Sequence, residues 1–307
     1  MKQIPDYQSI MLPMIKRVSD NKEHTFRDLI EELSCDFSLT EDQRKELLPS
    51  GNQEIFTNRV AWAKTYLKKA GLIQYTKRGV IQITERGIKV SKEKIDKIDV
   101  KYLKQFAEFI EFQNLSTSDN EVSESTELLN QIEQTPEEQF EKSYQRLRAS
   151  LAQDVLEKAR SVSPSFFERL VVELLVKMGY GGSIADAGKA IGKTGDEGID
   201  GTIKEDKLGL DIIYIQAKRW QSGNSVGRPE IQKFVGALAG QGAKKGIFIT
   251  TSNFTKEALE YTPRNETKIV LIDGVQLAQL MIDYNLGVSS HHVYELKKLD
   301  NDYFGDE

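Results

Sequence analysis

The sequence predicts an α/β protein of two domains: a small N-terminal domain of short helices that ends in a β-hairpin, and a larger C-terminal domain in which helices flank a mixed central sheet. Three observations support this division. The chain has 307 residues, enough for about two domains at roughly 150 residues each. An acidic segment separates the two regions. Helical and strand-like patterns alternate only after that segment, which is typical of an α/β domain.

The acidic segment runs from Glu111 to Glu141 and holds nine acidic residues without a Lys or Arg, in a chain of formal net charge −5. Its Ser, Thr, Asn and Glu content is typical of a linker. We therefore predict an N-terminal domain at residues 1–95, a helix and acidic linker at 96–141 and a C-terminal domain at 142–307. The linker is either a solvated tether, which is the simpler interpretation, or an acidic strand that competes with nucleic acid for a basic face.

The N-terminal domain begins with four helical patterns, and two strand-like runs follow them. Thr40 and Gln43 form a capping box at the third helix, and Gly71 follows the fourth. A turn at Lys77, Arg78 and Gly79 joins the two strands with two positive charges. The helices are predicted at Tyr7–Val18, Thr25–Leu33, Thr40–Leu48 and from Thr57 or Asn58 to Gly71, and the strands at Leu72–Tyr75 and Val80–Thr84. This order of elements indicates a winged helix.

Charge supports a nucleic-acid partner for this domain. Between Phe56 and Val80 the chain has six basic residues and no acidic one. A basic helix face is often only solvated, but the basic turn beside it favours contact with DNA phosphates. We predict that duplex DNA is bound by Arg59, Lys64, Lys68, Lys77 and Arg78. One further helical pattern, from Val100 to Ile110, closes the domain or leads into the linker.

The C-terminal domain follows the order helix, irregular glycine-rich stretch, two strands, then helices and strands in alternation. The first two strands are a turn apart and should form an antiparallel hairpin, whereas helices connect the later strands, which should be parallel. The helices are predicted at Pro164–Met178, Glu230–Ala239, Thr255–Leu259 and Val275–Tyr284, and the strands at Ile199–Ile203, Leu210–Gln216, Gly246–Thr250 and Lys268–Leu271. The sheet is therefore predicted to be mixed.

Histidine and cysteine counts restrict the chemistry. The chain has three His and one Cys, which excludes a structural zinc site built from these residues and disfavours Cys-protease and Ser-His-Asp mechanisms. Catalysis would then depend on carboxylates, lysines, amides or a hard metal ion.

Such groups meet in the first hairpin. Asp200 opens one strand, and Gln216 and Lys218 lie two apart near the end of the next, so their side chains leave the same face of the sheet. An antiparallel hairpin brings that face beside Asp200. A carboxylate and an amide oxygen suit Mg²⁺ together with substrate phosphate, and a lysine can activate water or stabilise charge on phosphorus. Without its context, this spacing would fit an ordinary turn, a sheet amide and a surface charge. The strand-turn-strand context favours phosphodiester hydrolysis.

The longer motifs resemble a known family. The segments FFERLVVELLVKMGYGG, TGDEGIDG, YIQAKRW, GRPEIQKFVGALAGQ, GIFITTSNFT and VLIDG resemble the catalytic domain of Mrr-type restriction endonucleases, within the PD-(D/E)xK nuclease superfamily. GNQEIFTNRVAWAKTYLKKAGL is similar to the winged-helix module of that family, and LDNDYF to its C-terminal end. The resemblance covers nearly the whole chain apart from the linker.

The resemblance implies a type IV, modification-dependent restriction enzyme with a restriction-endonuclease-like C-terminal domain that hydrolyses methylated foreign DNA with Mg²⁺. It implies that Asp200 binds the metal, that Lys218 is the catalytic lysine and that Gln216 stands where most of the superfamily has Glu or Asp. Glu168 matches the helix-borne acidic residue of the site. Glu173 is the alternative, but about 140° of helix separates the two, and we favour Glu168.

Gln216 removes one negative charge from the metal site, so we favour one metal ion, bound by Asp200, Gln216 and Glu168, over two. Arg219 and Arg228 are expected phosphate contacts. Cleavage of both strands implies a homo-oligomer. A repair or structure-specific nuclease, and a DNA-binding regulator with an inactive nuclease fold, remain alternatives.

Other features of the sequence bear on the cell compartment and on nucleotide dependence. The absence of a long apolar stretch and of a signal peptide predicts a cytoplasmic protein without a membrane partner. Gly192, Lys193 and Thr194 imitate the end of a nucleotide-binding loop, but Ala187 stands where that loop needs glycine. We expect no dependence on nucleoside triphosphates.

Overall fold

The computed structural model describes residues 3–114, 134–181, 198–206, 208–221, 223–261 and 267–297, with the single residues 299 and 303. The chain divides into two compact units, one of Met1–Gln145 with Lys297–Glu307 and one of Arg146–Leu296. Within the described residues, no helix is long and apolar enough to cross a membrane. Much of the predicted linker, residues 115–133, and the rejected loop at residues 192–194 lie outside the described residues.

The N-terminal unit contains the predicted helices and hairpin. Its helices are α1 Tyr7–Arg17, α2 Phe26–Asp36, α3 Glu41–Lys45, α4 Ile55–Lys69, α5 Glu85–Ser91, α6 Val100–Leu103 and α7 Ala107–Asn114. Its strands are β1 His24–Thr25, β2 Ile73–Lys77 and β3 Val80–Ile83, which form an antiparallel sheet in the order β1-β3-β2.

Local chemistry explains where these helices begin. Asp6, Thr25 and Thr40 accept backbone hydrogen bonds at the starts of α1, α2 and α3, and Thr40 forms the predicted capping box with Gln43. The predicted third helix is shorter than expected, because the backbone turns to an extended conformation at Glu46. Apolar residues of α1, α2 and α4 pack into one core together with the inward residues of β2 and β3.

Two predictions for the end of this unit need correction. The pattern from Val100 to Ile110 forms two helices, because the amides of Gln105 and Phe106 donate to the carbonyls three residues earlier and end α6. The predicted linker boundary at residue 141 lies inside a helix of 26 residues, α8 Pro136–Ser161. Apolar periodicity was too weak to predict α8.

The C-terminal unit contains the predicted mixed sheet, in the order β4-β5-β7-β9. β4 pairs with β5 antiparallel, and β5 with β7 and β7 with β9 in parallel. The strands are β4 Gly201–Lys204, β5 Ile212–Lys218, β7 Lys245–Thr250 and β9 Lys268–Ile272, and a separate parallel pair is β6 Ser225–Val226 with β8 Asn253–Phe254. All four predicted strands and their relative directions are confirmed.

Helices cover both faces of this sheet, as the alternating pattern predicted. Besides the second part of α8, they are α9 Pro164–Lys177, α10 Arg228–Gly240, α11 Lys256–Leu259 and α12 Gly274–Asp283. Phe167 and its apolar neighbours on α9 pack with α12 against one face, and Phe234 of α10 packs with Phe248 of β7 against the other. The core therefore fixes the end of β5, which carries the candidate site.

Candidate active site

Asp200 is fixed by the first hairpin of the C-terminal unit. Its amide donates to the carbonyl of Ile215 at 2.8 Å, which extends the β4–β5 ladder by one residue. Its carboxylate oxygen Oδ2 accepts a hydrogen bond from Nε2 of Gln216 at 2.8 Å and one from the amide of Ala217 at 2.7 Å. Since both bonds end on Oδ2, the other oxygen, Oδ1, is the one suited to bind a cation.

Gln216 and Lys218 occupy alternate positions of β5, and both side chains therefore leave the same face. Gln216 is 3% exposed, and its hydrogen bond to Asp200 orients Nε2 toward the carboxylate and Oε1 away from it. Gly198 approaches Oε1 closely: a Cβ there would lie 3.1 Å from it, and the glycine has φ of +106°. Lys218 is the last residue of the strand and is half-buried.

Glu168 lies near Asp200 and Lys218. It follows the fully buried Phe167 on α9 and is itself partly buried. Burial raises the pKa of its carboxyl, the negative charge of Asp200 raises it further, and Lys218 acts in the opposite direction. Glu173, the alternative considered from the sequence, is exposed. The electrostatic contacts therefore associate Glu168 with the hairpin residues.

The donor set fits a hard cation. Two carboxylates and one amide oxygen are oxygen ligands, and Mg²⁺ is commonly bound by one or two carboxylates with waters and phosphate as the remaining ligands. Among the described residues, no group of three or more His, Cys, Asp or Glu side chains could hold a metal ion. A cation at this site would therefore have fewer protein carboxylates than a closed structural site.

The two arginines expected near this site differ in their surroundings. Nη1 of Arg219 donates to the carbonyl of Arg160 at 2.7 Å, near the end of α8, and its Nε is buried without a partner among the described residues. This arginine therefore tethers a helix end. Arg228 is exposed, and its guanidinium lies 5.2 Å from the ring centre of Tyr261.

The basic residues of α4 divide between two faces. The ammonium of Lys64 lies 3.8 Å from the ring centre of Phe26, and that of Lys68 lies 3.9 Å from the ring centre of Tyr75. Burial, and then the neighbouring charge of Lys68, lower the pKa of Lys64. Tyr75 is 43% exposed and was not predicted as a functional residue, although the Tyr at this strand position was a usable signal.

Lys77 and Arg78 are exposed in the hairpin, as predicted. Lys77 forms an ion pair of 3.1 Å with Glu23. Together with Lys64 and Lys68 they form what we call the basic face of the N-terminal unit.

Arg59 is different from the other predicted DNA-binding residues. Its Nε donates to Glu138 at 2.6 Å and its Nη1 to the carbonyl of Ile4 at 2.7 Å, while the side chains of Arg59 and Glu138 are 15% and 8% exposed. A buried ion pair of this kind occupies the guanidinium with protein groups. The structure therefore does not support the prediction that Arg59 contacts DNA.

Comparisons with known proteins find matches in both units of the chain. A family model described as "Restriction endonuclease" matches residues 159–281, and one described as "Mrr N-terminal domain" matches residues 7–93. The "Type IV methyl-directed restriction enzyme EcoKMrr" of Escherichia coli (strain K12) is 38% identical over 309 residues, which cover 98% of this chain and 99% of that protein.

Two solved structures show a more distant likeness. The structure titled "DNA modification-dependent restriction endonuclease AspBHI" has a TM-score of 0.35 and 16% identity, covering 45% of this chain and 36% of its own. The structure titled "MspJI Restriction Endonuclease in Complex with 27-mer Oligonucleotide" has a TM-score of 0.34 and 22% identity, covering 46% of this chain and 33% of its own.

Proposed function

Because this chain belongs to the Mrr family of restriction endonucleases, we propose that it hydrolyses phosphodiester bonds of methylated duplex DNA, with Mg²⁺ as the metal ion. The observation that carries the proposal is the hydrogen bond between Gln216 and Asp200. The charges of Asp200 and Lys218 both act on the carboxyl of Glu168, which adds it to this group. This cluster supplies two carboxylates, an amide oxygen and an ammonium at one edge of the sheet.

Each residue has a distinct role in this proposal. Asp200 and Glu168 would hold the cation with their carboxylates. Gln216 orients Asp200 through its Nε2, and it would offer Oε1 to the cation after its amide turns. When bound, Mg²⁺ supplies Lewis-acid polarisation of the scissile phosphate and charge neutralisation. Lys218 provides a fixed positive charge for the oxygens that gain negative charge as the phosphodiester bond breaks. One cation suffices for these roles.

The basic face of the N-terminal unit is the proposed contact with the DNA backbone. Lys64, Lys68, Lys77 and Arg78 lie on α4 and the adjoining hairpin, within a stretch that has no acidic residue. Each lysine or arginine that neutralises a phosphate also releases a counterion, so binding should weaken steeply with salt. Arg228 is a further proposed contact, on the C-terminal unit. Arg219 stays a proposed contact, with one guanidinium nitrogen bonded to the carbonyl of Arg160. Arg59 is left out of the proposed contact because Glu138 and the Ile4 carbonyl bind its guanidinium group.

The remaining parts of the proposal concern assembly and place. Cleavage of both strands needs two active sites, so we propose that two or more copies act together on DNA in the cytoplasm. We also retain a nucleic-acid-binding N-terminal domain and a nuclease C-terminal domain as functional divisions, with their boundary within α8.

The proposal is tested by cleavage of matched plasmids, one methylated in vitro and one unmethylated, in Mg²⁺ and in EDTA. The variant is Lys218→Ala, and the matched control is Lys256→Ala, because Lys256 is exposed on α11. We expect the native protein and the Lys256 variant to cleave only methylated plasmid, and the Lys218 variant to lose at least about 100-fold in rate.

Other outcomes would select the alternatives. Equal cleavage of both plasmids would retain the nuclease and remove the dependence on methylation, as for a repair or structure-specific nuclease. Binding of both plasmids without cleavage in Mg²⁺, Mn²⁺ or Ca²⁺ would favour a DNA-binding regulator.

A further inference from the structure

Two adjacent threonines hold the end of the strand that carries Lys218. Lys218 is the last residue of β5 and pairs with Thr250, the last residue of β7. Oγ1 of Thr250 donates to the carbonyl of Lys218 at 2.9 Å, and the amide of Thr251 donates to the same carbonyl at 3.2 Å. The Lys218 carbonyl therefore has two donors at the point where the ladder ends.

Thr251 extends this contact beyond the strand. Its Oγ1 accepts from the amide of Trp220 at 2.9 Å and donates to the carbonyl of the same residue at 2.7 Å. One hydroxyl thereby satisfies both backbone groups of Trp220, in the way that a strand partner would. The two threonines together hold the backbone that runs from Lys218, the last residue of β5, to Trp220 beyond the sheet.

The threonines are themselves held firmly. Both are 0% exposed, and Oγ1 of Thr250 accepts from the amide of Ser252 at 3.1 Å. Nε of Arg160 donates to the carbonyl of Thr251 at 3.0 Å. Gly274 packs so closely that a Cβ there would lie 2.6 Å from that carbonyl oxygen. The segment has little room to shift, and a β-branched side chain has few rotamers to choose from.

Position matters for Lys218 because a lysine side chain is long and flexible. The direction in which its ammonium extends depends on the backbone at the strand end, where ladder bonds no longer fix the chain. We propose that Thr250 and Thr251 are positioning residues that hold this backbone and thereby direct the Lys218 ammonium at the scissile phosphate. The inference rests on the proposed function of Lys218.

The experiment uses the full chain with two substitutions at one position. Thr251→Val keeps the β-branched shape and removes the hydroxyl, whereas Thr251→Ser keeps the hydroxyl. Thr255→Val is the matched control, since the Thr255 hydroxyl accepts from the Ala258 amide at the start of α11. Single-turnover cleavage of methylated plasmid in Mg²⁺ is measured with DNA affinity by anisotropy in Ca²⁺. Hydrogen exchange at the Trp220 amide is followed on the same proteins, and Lys218→Ala is run in parallel.

We expect Thr251→Val to cleave between about 10-fold and 100-fold more slowly than native, with DNA affinity within about twofold. Its Trp220 amide should exchange at least about tenfold faster, because the hydroxyl that bonds it is gone. Thr251→Ser should restore rate and protection, and Thr255→Val should leave both unchanged. A merely structural role would instead reduce cleavage and affinity together.

Three results would overturn the inference, and the first two are distinguishable from a failure of the proposed function. Unchanged exchange at Trp220, or native cleavage by Thr251→Val beside an inactive Lys218→Ala, refutes the positioning role alone. Native cleavage by Lys218→Ala refutes the role of the lysine and, with it, this inference.

Discussion

Removing the guanidinium of Arg59 should destabilise the N-terminal unit without weakening its contact with DNA. Arg59→Met leaves the Glu138 carboxylate 8% exposed and without its cation. It also removes the donor to the Ile4 carbonyl, bonded at 2.7 Å. Deleting one partner of a buried ion pair costs about 3 to 5 kcal/mol, and we expect the free energy of unfolding to fall by that amount.

The assay can be confined to this unit. The chain has two Trp residues, and Trp62 donates from Nε1 to Glu137, next to the ion pair. In a Trp220→Phe background, urea unfolding followed by tryptophan fluorescence therefore reports the N-terminal unit. A second variant, Arg59→Met with Glu138→Gln, removes both charges and keeps an acceptor for the Thr135 amide. It should recover at least about half of the lost stability, because no unpaired charge remains buried.

DNA binding shows whether Arg59 is a structural partner of Glu138 or a contact with DNA phosphate. Lys68→Met, on the basic face, should make the negative slope of log affinity against log salt concentration shallower by about one, as expected for one lost phosphate contact. Arg59→Met should leave that slope unchanged under conditions in which the protein is folded. Arg59 would instead be a DNA contact if Arg59→Met lost less than about 1 kcal/mol of stability and made the salt slope shallower, as Lys68→Met does.

Two further predictions concern Glu168 and Gln216 of the candidate site. The pKa of Glu168 is raised above its ordinary 4.5, so the folded chain keeps this proton where the unfolded chain has lost it, and stability falls as pH rises through the folded pKa. In EDTA, Glu168→Gln should therefore have a higher melting temperature than the native protein above that pKa, and the same melting temperature well below pH 4.5. An equal or lower melting temperature at pH 8 would contradict this expectation. Gln216→Glu places a second carboxylate beside Asp200 and should lower the melting temperature in EDTA at pH 8, by about 2–4 °C per kcal/mol lost. Mg²⁺ should restore the native melting temperature. Equal melting temperatures in EDTA would show that no repulsion with Asp200 arises.

Much of the fold could be predicted because its signals are local. Turn chemistry at Gly79, the capping box at Thr40 and the apolar run of β5 each depend on a few neighbouring residues. The alternation of helices with strands then fixed which strands run parallel. Helix α8 was missed because its surface is largely polar and several of its apolar side chains, such as Leu147, are exposed.

The candidate site was predictable to the extent that it lies on one hairpin. The spacing of Asp200, Gln216 and Lys218 follows from strand geometry, and the hydrogen bond between the first two agrees with that expectation. Glu168 could be assigned only through a resemblance, since 31 residues separate it from Asp200 in the sequence. Nothing local distinguishes Thr251 from any threonine at a strand end, because its role depends on Trp220, 31 residues earlier.

The same distance in sequence explains why the sequence did not reveal the ion pair of Arg59. A helical pattern shows only that Arg59, Lys64 and Lys68 avoid the apolar face, and it does not show what else packs there. Glu138, 79 residues later, is buried against one of the remaining faces and bonds Arg59. At about 100° per residue, Arg59 and Lys64 lie roughly 140° apart around α4, so a partner of one does not reach the other.

This geometry also bears on the acidic segment, for which the sequence left two interpretations. Its last acidic residues, Glu137, Glu138 and Glu141, hydrogen-bond to Trp62, Arg59 and Ser50. These contacts leave the faces of α4 beside Phe26 and Tyr75, where Lys64 and Lys68 lie, without a carboxylate from these three residues. If the three glutamates screened DNA from that face, charge-neutral variants would raise DNA affinity. Because they bond groups on another face, we expect the described end of the segment to be a structural support that leaves the basic face available to a phosphate backbone.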